Sequence, residues 1–332
     1  MGSSIDVKAP QLDASVSYDY TILGAGALGS VFGARLALAG HRVQLLTRSP
    51  AHPKAIRQDG LLFECDGVQH RVAVDAGQTA DVGSTRAVLC FTKTSELLPA
   101  VQSVVDRVGP DTLFITLQNG LGNGERLADV VGSHRVIHGV TMVPADFKAP
   151  GFVETHGEAA TWLNVFGDTP AQLATVVAHD LQHAGLQTTV DPAIAVRIWQ
   201  KACFNVAMNG LCGLITGSPG MLHAYPDGEL LAHDIADEAI AVAHAEGCSV
   251  DPDAVHGLIT MACANHTFHK PSMLQDLAAG RLTEIESLNG YVQSKADQLG
   301  VETPLNALIL RLVRLRERAP EFWAQASSPG TC

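Results

Sequence analysis

The chain has 332 residues, of which 46% are apolar, and its formal net charge is −12 at pH 7. This length predicts two domains with sizeable cores. The acidic balance and the scarcity of basic clusters argue against a nucleic-acid partner, although a locally positive site for a small anion stays compatible with them. Every apolar stretch is interrupted before it reaches the length of a membrane span, so we expect a cytoplasmic protein without a membrane partner.

The cysteines occur without a C-x-x-C pair, at positions 65, 90, 203, 212, 248, 263 and 332. Most lie in apolar runs, which is typical of reduced core thiols rather than of a disulfide framework or a zinc site. We predict no metal site, and we interpret His233 and Asp237, four residues apart on a predicted helix, as a solvated face. Polar tails are predicted over residues 1–16 and 321–332.

The first predicted elements surround a glycine-rich turn. Residues 24–29 read Gly-Ala-Gly-Ala-Leu-Gly, an apolar run over 18–23 precedes them, a helical stretch over 30–39 follows, and a second strand is predicted over 42–46. A strand, a tight turn, a helix and a strand within about thirty residues form a dinucleotide-binding fingerprint. The alternative is a plain glycine-rich turn between a strand and a helix.

Each glycine of this turn has a physical role. The first permits the tight turn, the second lets the backbone approach a pyrophosphate, and the third lets helix and strand pack closely. The helix N-terminus then offers N–H groups and a partial positive charge to the phosphates. The predicted cofactor-binding residues of the turn are Gly24, Gly26, Ala27, Leu28 and Gly29.

The end of the second strand indicates which cofactor binds. An NAD site usually places Asp or Glu there for the ribose 2′-hydroxyl, whereas this strand continues into Thr47-Arg48-Ser49-Pro50. Arg48 can pair with a 2′-phosphate, and Thr47 and Ser49 can hydrogen-bond it. The sequence therefore favours NADP (NADPH) over NAD(H), the alternative being that Arg48 is a solvated loop residue.

The rest of the first half alternates between strands and helices. A hairpin is predicted over 60–74, with Gly67 near its turn. Further strands are predicted over 86–92, 112–117, 136–140, 162–166 and 187–190, with helices over 96–108 and 171–183. We predict an N-terminal α/β domain over residues 17–191, built on a parallel sheet with an antiparallel extension.

The pattern changes to long helices near Asp191-Pro192. We predict an all-α C-terminal domain over residues 192–320. Its predicted helices cover residues 193–213, 228–246, 251–263, 283–299 and 304–317.

A polar stripe crosses the first of these helices. Lys201, Asn205 and Asn209 have i, i+4, i+8 spacing and share one face, while their neighbours are mostly apolar. Burying a lysine without a partner costs several kcal/mol or lowers its pKa. A partly desolvated lysine can donate a proton near neutral pH, and two amides can orient substrate oxygens. The alternative is a lysine at the edge of the helix that reaches water.

A buried lysine needs an acceptor, and the best candidate lies in residues 281–290. If Thr283 is an N-cap, Glu286 fits the N3 position of a capping box, which leaves Glu284 as the functional acid. Upstream, Ser272 offers a hydroxyl at the start of a helix or loop.

With these residues the chain resembles the ketopantoate reductase (2-dehydropantoate 2-reductase) family from about residue 18 to residue 316. The resemblance rests on motifs in the family's order: the glycine turn, a strand ending in Lys93, Gln118-Asn119-Gly120, Trp199-x-Lys201-x3-Asn205-x3-Asn209, Ser272-Met273-Leu274-Gln275-Asp276 and Thr283-Glu284-Ile285. It implies an α/β N-terminal Rossmann domain plus an all-α C-terminal domain. It also implies NADPH-dependent reduction of a 2-keto acid.

The resemblance implies roles for individual residues as well. Lys201 resembles the general acid and Glu284 the carboxylate that holds its ammonium. Asn205 and Asn209 would orient the substrate, and Ser272 would bind its carboxylate or hydroxyl end. Lys93 would contact the cofactor, while the family's counterpart of Asn119 lies between the nicotinamide ribose and the substrate.

The chain departs from the family pattern at two places toward the substrate pocket. Gly210-Leu211-Cys212-Gly213 stands where the family usually has Pro followed by Leu-Thr-Ala, and Pro219 stands where an Asn usually precedes Gly220. Reduction of a 2-keto acid is therefore better supported than reduction of ketopantoate itself. The expected partner is a small 2-keto acid, with a homodimer as the possible assembly.

Two other functions compete with this prediction. A relative of the β-hydroxyacid or 6-phosphogluconate-type dehydrogenases would also pair a Rossmann domain with a helical domain. The glycine spacing and the segment from Ser272 to Glu284 argue against it. A non-catalytic NADP(H)-sensing module would leave Lys201 and Glu284 without a role.

Overall fold

The computed structural model describes residues 18–318, which form two compact units. The first unit comprises residues up to Gln118 together with Asn123–Ile194, and the second comprises Asn119–Gly122 and the chain from Ala195 onward. Residues 119–122 thus belong to the second unit, although the sequence places them inside the first domain. The two predicted tails, 1–16 and 321–332, lie outside the described residues.

The first unit contains all of the strands predicted for it, together with others that were not predicted. In chain order they are β1 Tyr18–Leu23, β2 Val43–Leu46, β3 Leu61–Cys65, β4 Val68–Val72, β5 Asp75–Gly77, β6 Thr85–Cys90, β7 Leu113–Thr116, β8 Val136–Thr141, β9 Asp146–Ala149, β10 Phe152–Thr155, β11 Ala160–Phe166 and β12 Gln187–Val190. Eight of these strands form one sheet in the order β12-β11-β8-β7-β6-β1-β2-β5.

The direction of the strands confirms the predicted sheet. From β5 to β8 all neighbours pair in parallel, whereas β11 pairs antiparallel with β8, Trp162 lying opposite Val140. Parallel neighbours need crossover connections, which the intervening helices supply. The carboxyl ends of β1, β2 and β6 therefore meet at one edge of the sheet, where a Rossmann fold binds its ligand.

The predicted hairpin over 60–74 is present as β3 and β4, but it lies in a separate sheet. That sheet has the order β4-β3-β10-β9, with β10 parallel to β3. The turn contains Asp66 and Gly67, both with positive φ. The sequence did not predict β9 and β10. The first is fully exposed and has no buried face to produce alternation, whereas β10 does alternate, but over only four residues.

Helices of the first unit cover both faces of the large sheet. They are α1 Ala27–Leu38, α2 Ala51–Asp59, α3 Thr94–Gln102, α4 Asn123–Val131 and α5 Ala171–His183. The helix predicted over 96–108 begins earlier and ends at Gln102, and Pro99 lies inside it. Consecutive strand residues enter different cores, as Val88 and Leu89 do, because side chains alternate across a strand.

The described residues of the second unit form helices joined by turns and loops, with no strand among them. Its helices are α6 Ile194–Ile215, α7 Pro219–His223, α8 Pro226–Ala245, α9 Pro252–Asn265, α10 Ser272–Ala278, α11 Asn289–Leu299 and α12 Pro304–Arg318. One core joins them, with Cys203, Val206 and Ala239 fully buried. Across the described residues, we find no helix with the length and apolarity needed to cross a membrane.

Candidate active site

The glycine turn has the shape that a dinucleotide requires. Gly24 has φ +98°, and a Cβ there would lie 2.4 Å from the backbone nitrogen of Thr92. A Cβ on Gly29 would lie 2.6 Å from the carbonyl oxygen of Gly24, so both positions exclude a side chain. A Cβ on Gly26, by contrast, would meet nothing within 4 Å. Gly26 therefore faces open space, which a phosphate group can approach closely.

The helix that follows the turn is suited to an anion. Gly26 is the N-cap of α1, no side chain caps the helix, and its first turn carries no acidic residue. The first N–H groups of a helix, here those of Ala27, Leu28 and Gly29, have no carbonyl partner within the helix. Together with the helix dipole, they form an electropositive site beside Gly26.

Arg48, predicted to bind a 2′-phosphate, is placed just beyond β2. Its side chain is 84% exposed, and its Nη1 lies 2.9 Å from Oε2 of Glu96. Gln78 Nε2 donates to the carbonyl oxygen of Arg48 at 2.9 Å, which fixes the backbone of this loop. The sequence did not predict the pairing with Glu96, because 48 residues separate the two side chains.

Lys93 lies at the carboxyl end of β6, as predicted. It is the N-cap residue of α3 and has an extended backbone. The adjacent residue, Thr92, accepts hydrogen bonds from Gln118 Nε2 at both its carbonyl and its hydroxyl, and Gln118 Oε1 accepts one from Thr116. These bonds connect the ends of β6 and β7, so Gln118 supports the loop that carries Lys93.

The polar stripe of the second unit lies on α6. Asn205 and Asn209 are buried, with 8% and 7% exposure, among the fully buried neighbours Cys203 and Val206. Lys201 occupies the same face, one turn before Asn205, and as a whole residue it is half-buried. The helix is therefore buried as the apolar composition predicts.

Lys201 is electrostatically perturbed. Burial lowers its pKa from lysine's ordinary 10.5 to about 8, and the charge of Glu284 acts in the opposite direction by raising it. Desolvation is the larger of the two effects, because it penalises the charged head group itself. The charge of Glu284 thus acts on Lys201, while the catalytic roles of the two residues stay predictions from the sequence.

The helix predicted over 283–299 is interrupted, so the predicted capping box is wrong. Residues Ile285–Ser287 form one 3-10 turn, and α11 begins only at Asn289. Thr283 Oγ1 accepts from the backbone of Ile285 at 3.1 Å. Glu286 points away and makes a two-pronged ion pair with Arg314 at 2.6 Å. The ion pair explains why Glu286 does not reach back to the start of the helix.

A tertiary contact explains the interruption. The carbonyl oxygen of Ser287 accepts a hydrogen bond from the backbone of Leu121 at 2.9 Å, instead of a bond within a continuing helix. Gly120 has φ +90°, and a Cβ there would lie 2.7 Å from Oγ of Ser287. The loop that carries Asn119 is therefore anchored to the segment that carries Glu284.

Ser272 is the first residue of α10, as predicted from the sequence. Pro271 is the N-cap residue, and Ser272 is exposed. Its hydroxyl is therefore accessible at the start of a short helix.

The sequence did not identify a buried polar group behind the glycine turn. Ser30 of α1 lies 3.1 Å from Nε2 of His52, and the backbone of Gly151 donates to Nδ1 of His52 at 2.9 Å. Because Nδ1 accepts, the proton of the neutral ring is on Nε2. Burial lowers the pKa of His52 to about 4. A serine within an apolar helix was the one available signal for this group.

His233 and Asp237 take part in a surface cluster on α8 and α9. Asp237 pairs with His256 at 2.7 Å, and the rings of His233 and His256 stack with centroids 4.5 Å apart. Within residues 18–318, no group of three or more His, Cys, Asp or Glu side chains has an arrangement that could hold a metal ion.

A parallel sheet with an open glycine turn, combined with an all-helical unit, places the chain among the two-domain oxidoreductases. Two family models match it: "Ketopantoate reductase PanE/ApbA" over residues 20–168 and "Ketopantoate reductase PanE/ApbA C terminal" over residues 193–317. The chain belongs to the ketopantoate reductase family.

Individual relatives agree with this assignment. The chain is 32% identical over 303 residues to a 2-dehydropantoate 2-reductase of Streptococcus pyogenes serotype M3, covering 89% of this chain and 97% of the relative. It is 33% identical to the enzyme of the same name from Halobacterium salinarum, covering 90% of this chain and 98% of the relative.

Two similar solved structures bear different names. One is D-mandelate dehydrogenase with NADH and anilino(oxo)acetate, with a TM-score of 0.87, 29% identity, and coverage of 91% of this chain and 99% of that chain. The other is the PanE/ApbA family ketopantoate reductase of Ralstonia eutropha JMP134, with a TM-score of 0.85, 30% identity and the same coverages.

Proposed function

We propose that this protein reduces a 2-keto acid to a 2-hydroxy acid with NADPH, that 2-dehydropantoate is its substrate, and that Lys201 is the general acid. The observation that carries the proposal is the pKa of about 8 at Lys201, on the same helix face as two buried amides. The names of the relatives support the same reaction.

The residues of the glycine turn fit a dinucleotide. Gly26 leaves room for the pyrophosphate, and the N–H groups of Ala27, Leu28 and Gly29 would bind its oxygens. Arg48 would pair with the 2′-phosphate, and Lys93 and Asn119 would contact the remainder of the cofactor. When bound, NADPH supplies the hydride that reduces the carbonyl carbon.

Lys201 then supplies the proton. With a pKa of about 8, Lys201 is protonated in most molecules at pH 7. Its ammonium nevertheless gives up a proton more readily than that of a solvated lysine does. The proton moves from Nζ to the carbonyl oxygen as that oxygen becomes negative. Glu284 keeps the ammonium charged until transfer, because its own charge raises the pKa of Lys201.

The amides and the hydroxyl position the substrate in this scheme. Asn205 and Asn209 would donate to oxygens of the keto acid from one helix face, and their burial restricts their rotamers. Ser272 would bind the carboxylate or hydroxyl end. A cytoplasmic location and a homodimeric assembly stay predictions from the sequence.

One observation favours a second candidate substrate. A similar structure is a D-mandelate dehydrogenase that holds anilino(oxo)acetate, an aromatic 2-keto acid analogue. The chain also departs from the family pattern at Gly210 and Pro219. An aromatic 2-keto acid is therefore the alternative to 2-dehydropantoate.

The test is NADPH oxidation by the purified protein with 2-dehydropantoate, phenylglyoxylate and pyruvate. We expect Lys201→Ala to lower kcat by about 10²–10⁴-fold while NADPH affinity is kept. Lys295→Ala is the matched control, because that lysine is also partly buried in the same unit and pairs with a carboxylate, that of Glu246. Equal turnover by the parent and Lys201→Ala would disprove the role of Lys201.

The cofactor assignment has a separate test. We expect Arg48→Ala to weaken NADPH binding far more than NADH binding, because only NADPH carries the 2′-phosphate. An equal loss for both nucleotides would contradict the assignment.

A further inference from the structure

Three loops at the carboxyl edge of the large sheet bring Arg48 and Glu96 together. The glycine turn follows β1, the Arg48 loop follows β2, and the loop leading to α3 follows β6, the three strands being neighbours. Gly24 packs against Thr92, so the third loop lies directly beside the turn. Glu96 projects from the first turn of α3, and its carboxylate reaches Nη1 of Arg48 at 2.9 Å.

The loop that carries Arg48 is held in place. Thr47 donates its backbone N–H to Gly77 at 3.1 Å, and Gln78 Nε2 donates to the carbonyl oxygen of Arg48. Asp81 in turn accepts from the backbone of Gln78 at 2.8 Å. These bonds fix the backbone from which the Arg48 side chain extends, so Glu96 and a 2′-phosphate would both reach the guanidinium from the same starting point.

We propose that Glu96 modulates the cofactor specificity of this protein, because its carboxylate pairs with the same guanidinium that a 2′-phosphate would use. This inference rests on the proposed function, because it assumes that a nicotinamide dinucleotide binds at the glycine turn. Glu96 makes the preference for NADPH over NADH weaker than Arg48 alone would make it.

The charges explain the direction of the effect. A phosphate monoester carries about −1.5 to −2 at pH 7, and to bind Arg48 it must either displace the carboxylate of Glu96 or lie close beside it. Like charges a few ångströms apart weaken binding even in water. NADH carries a hydroxyl instead, and a carboxylate near this position is the usual acceptor for that hydroxyl. In this chain Glu96, in the first turn of α3, would supply the carboxylate, because the end of β2 has no acid.

The test is the variant Glu96→Gln, which keeps the size of the side chain and removes its charge. Dissociation constants for NADPH and NADH are measured by titration of the purified full-length protein. We expect the Kd of NADPH to fall by about tenfold, while the Kd of NADH stays the same or rises. Adenosine 2′,5′-bisphosphate and 5′-AMP, used as competing probes, should show the same contrast.

The control is Glu125→Gln, because Glu125 is also an exposed glutamate in the first turn of a helix of the same unit. It corrects for net charge and for loss of a favourable helix-dipole contact. We expect it to leave the ratio of the two Kd values unchanged.

Three outcomes would overturn the inference. If the ratio of the two Kd values is the same in Glu96→Gln as in the parent, whether or not both values change, Glu96 does not discriminate between NADPH and NADH. A weaker affinity for NADPH would show that Glu96 orients Arg48 instead of competing with the phosphate. If the parent protein binds neither dinucleotide, the proposed function fails together with the inference, whereas the first two results leave the proposed function standing.

Discussion

Replacing Glu284 by Gln should move the pH dependence of the reduction toward acid. The substitution removes one negative charge near Lys201 and preserves the shape of the side chain. Burial already holds the pKa of Lys201 at about 8 instead of 10.5, a difference equivalent to about 3 kcal/mol. An opposite charge nearby typically contributes about one to three pH units, so we expect the pKa in the variant to be near 7 or lower.

The rate follows from the protonated fraction of Lys201. Only the ammonium can donate, so the reduction rate is highest below the pKa and falls as pH rises through it. With a pKa of about 8, half of the molecules are protonated at pH 8, and with a pKa of about 7 roughly one tenth are. We therefore expect kcat at pH 8 to fall about fivefold, with much less loss at pH 6.

The assay is a profile of kcat between pH 6 and pH 10 at saturating keto acid and cofactor. Glu286→Gln is the matched control, because Glu286 lies two residues away, is exposed, and pairs with Arg314. It should leave the alkaline limb in place. If the limb of Glu284→Gln stays where it is in the parent, or moves toward alkaline pH, the electrostatic coupling of Glu284 to Lys201 is refuted.

Two further predictions concern the first unit. Gly26→Val should abolish cofactor binding without lowering Tm, because the new side chain enters open space. The control is Gly257→Ala, where a Cβ also meets nothing within 4 Å. A lower Tm for Gly26→Val would contradict the reasoning. In the folded protein the pKa of His52 is about 4, below the ordinary 6.5. Its contribution to the free energy of unfolding, about 3 kcal/mol, is therefore lost as pH falls from about 6.5 to 4. Urea denaturation at several pH values should therefore show a weaker pH dependence below 6.5 for His52→Gln, and identical slopes would argue against it.

The features that local sequence predicted best are those with a short-range cause. The glycine turn needs specific backbone conformations, and the periodicity of its flanking residues predicts a strand before it and a helix after it. The same holds for the stripe Lys201, Asn205 and Asn209, because residues four apart on a helix always share a face. Their burial followed from the apolar residues around them.

Predictions were wrong where a group expected to bond within its own segment bonds instead to a segment that is distant in the chain. The sequence of residues 283–299 has the capping pattern of one continuous helix, but Ser287 is engaged by Leu121 and Glu286 by Arg314. The hairpin over 60–74 formed as predicted, yet it joined β10 in a second sheet. Local propensity is a weak prior when tertiary partners compete for the same groups.

Sequence alone determined the fold class, the dinucleotide turn and the face on which Lys201 lies, because each is encoded by spacing within one element. Only the tertiary structure decided how far burial lowers the pKa of Lys201, and that Arg48 is paired with Glu96. Both depend on the electrostatic environment, which is set by residues that are far apart in the chain and close in space.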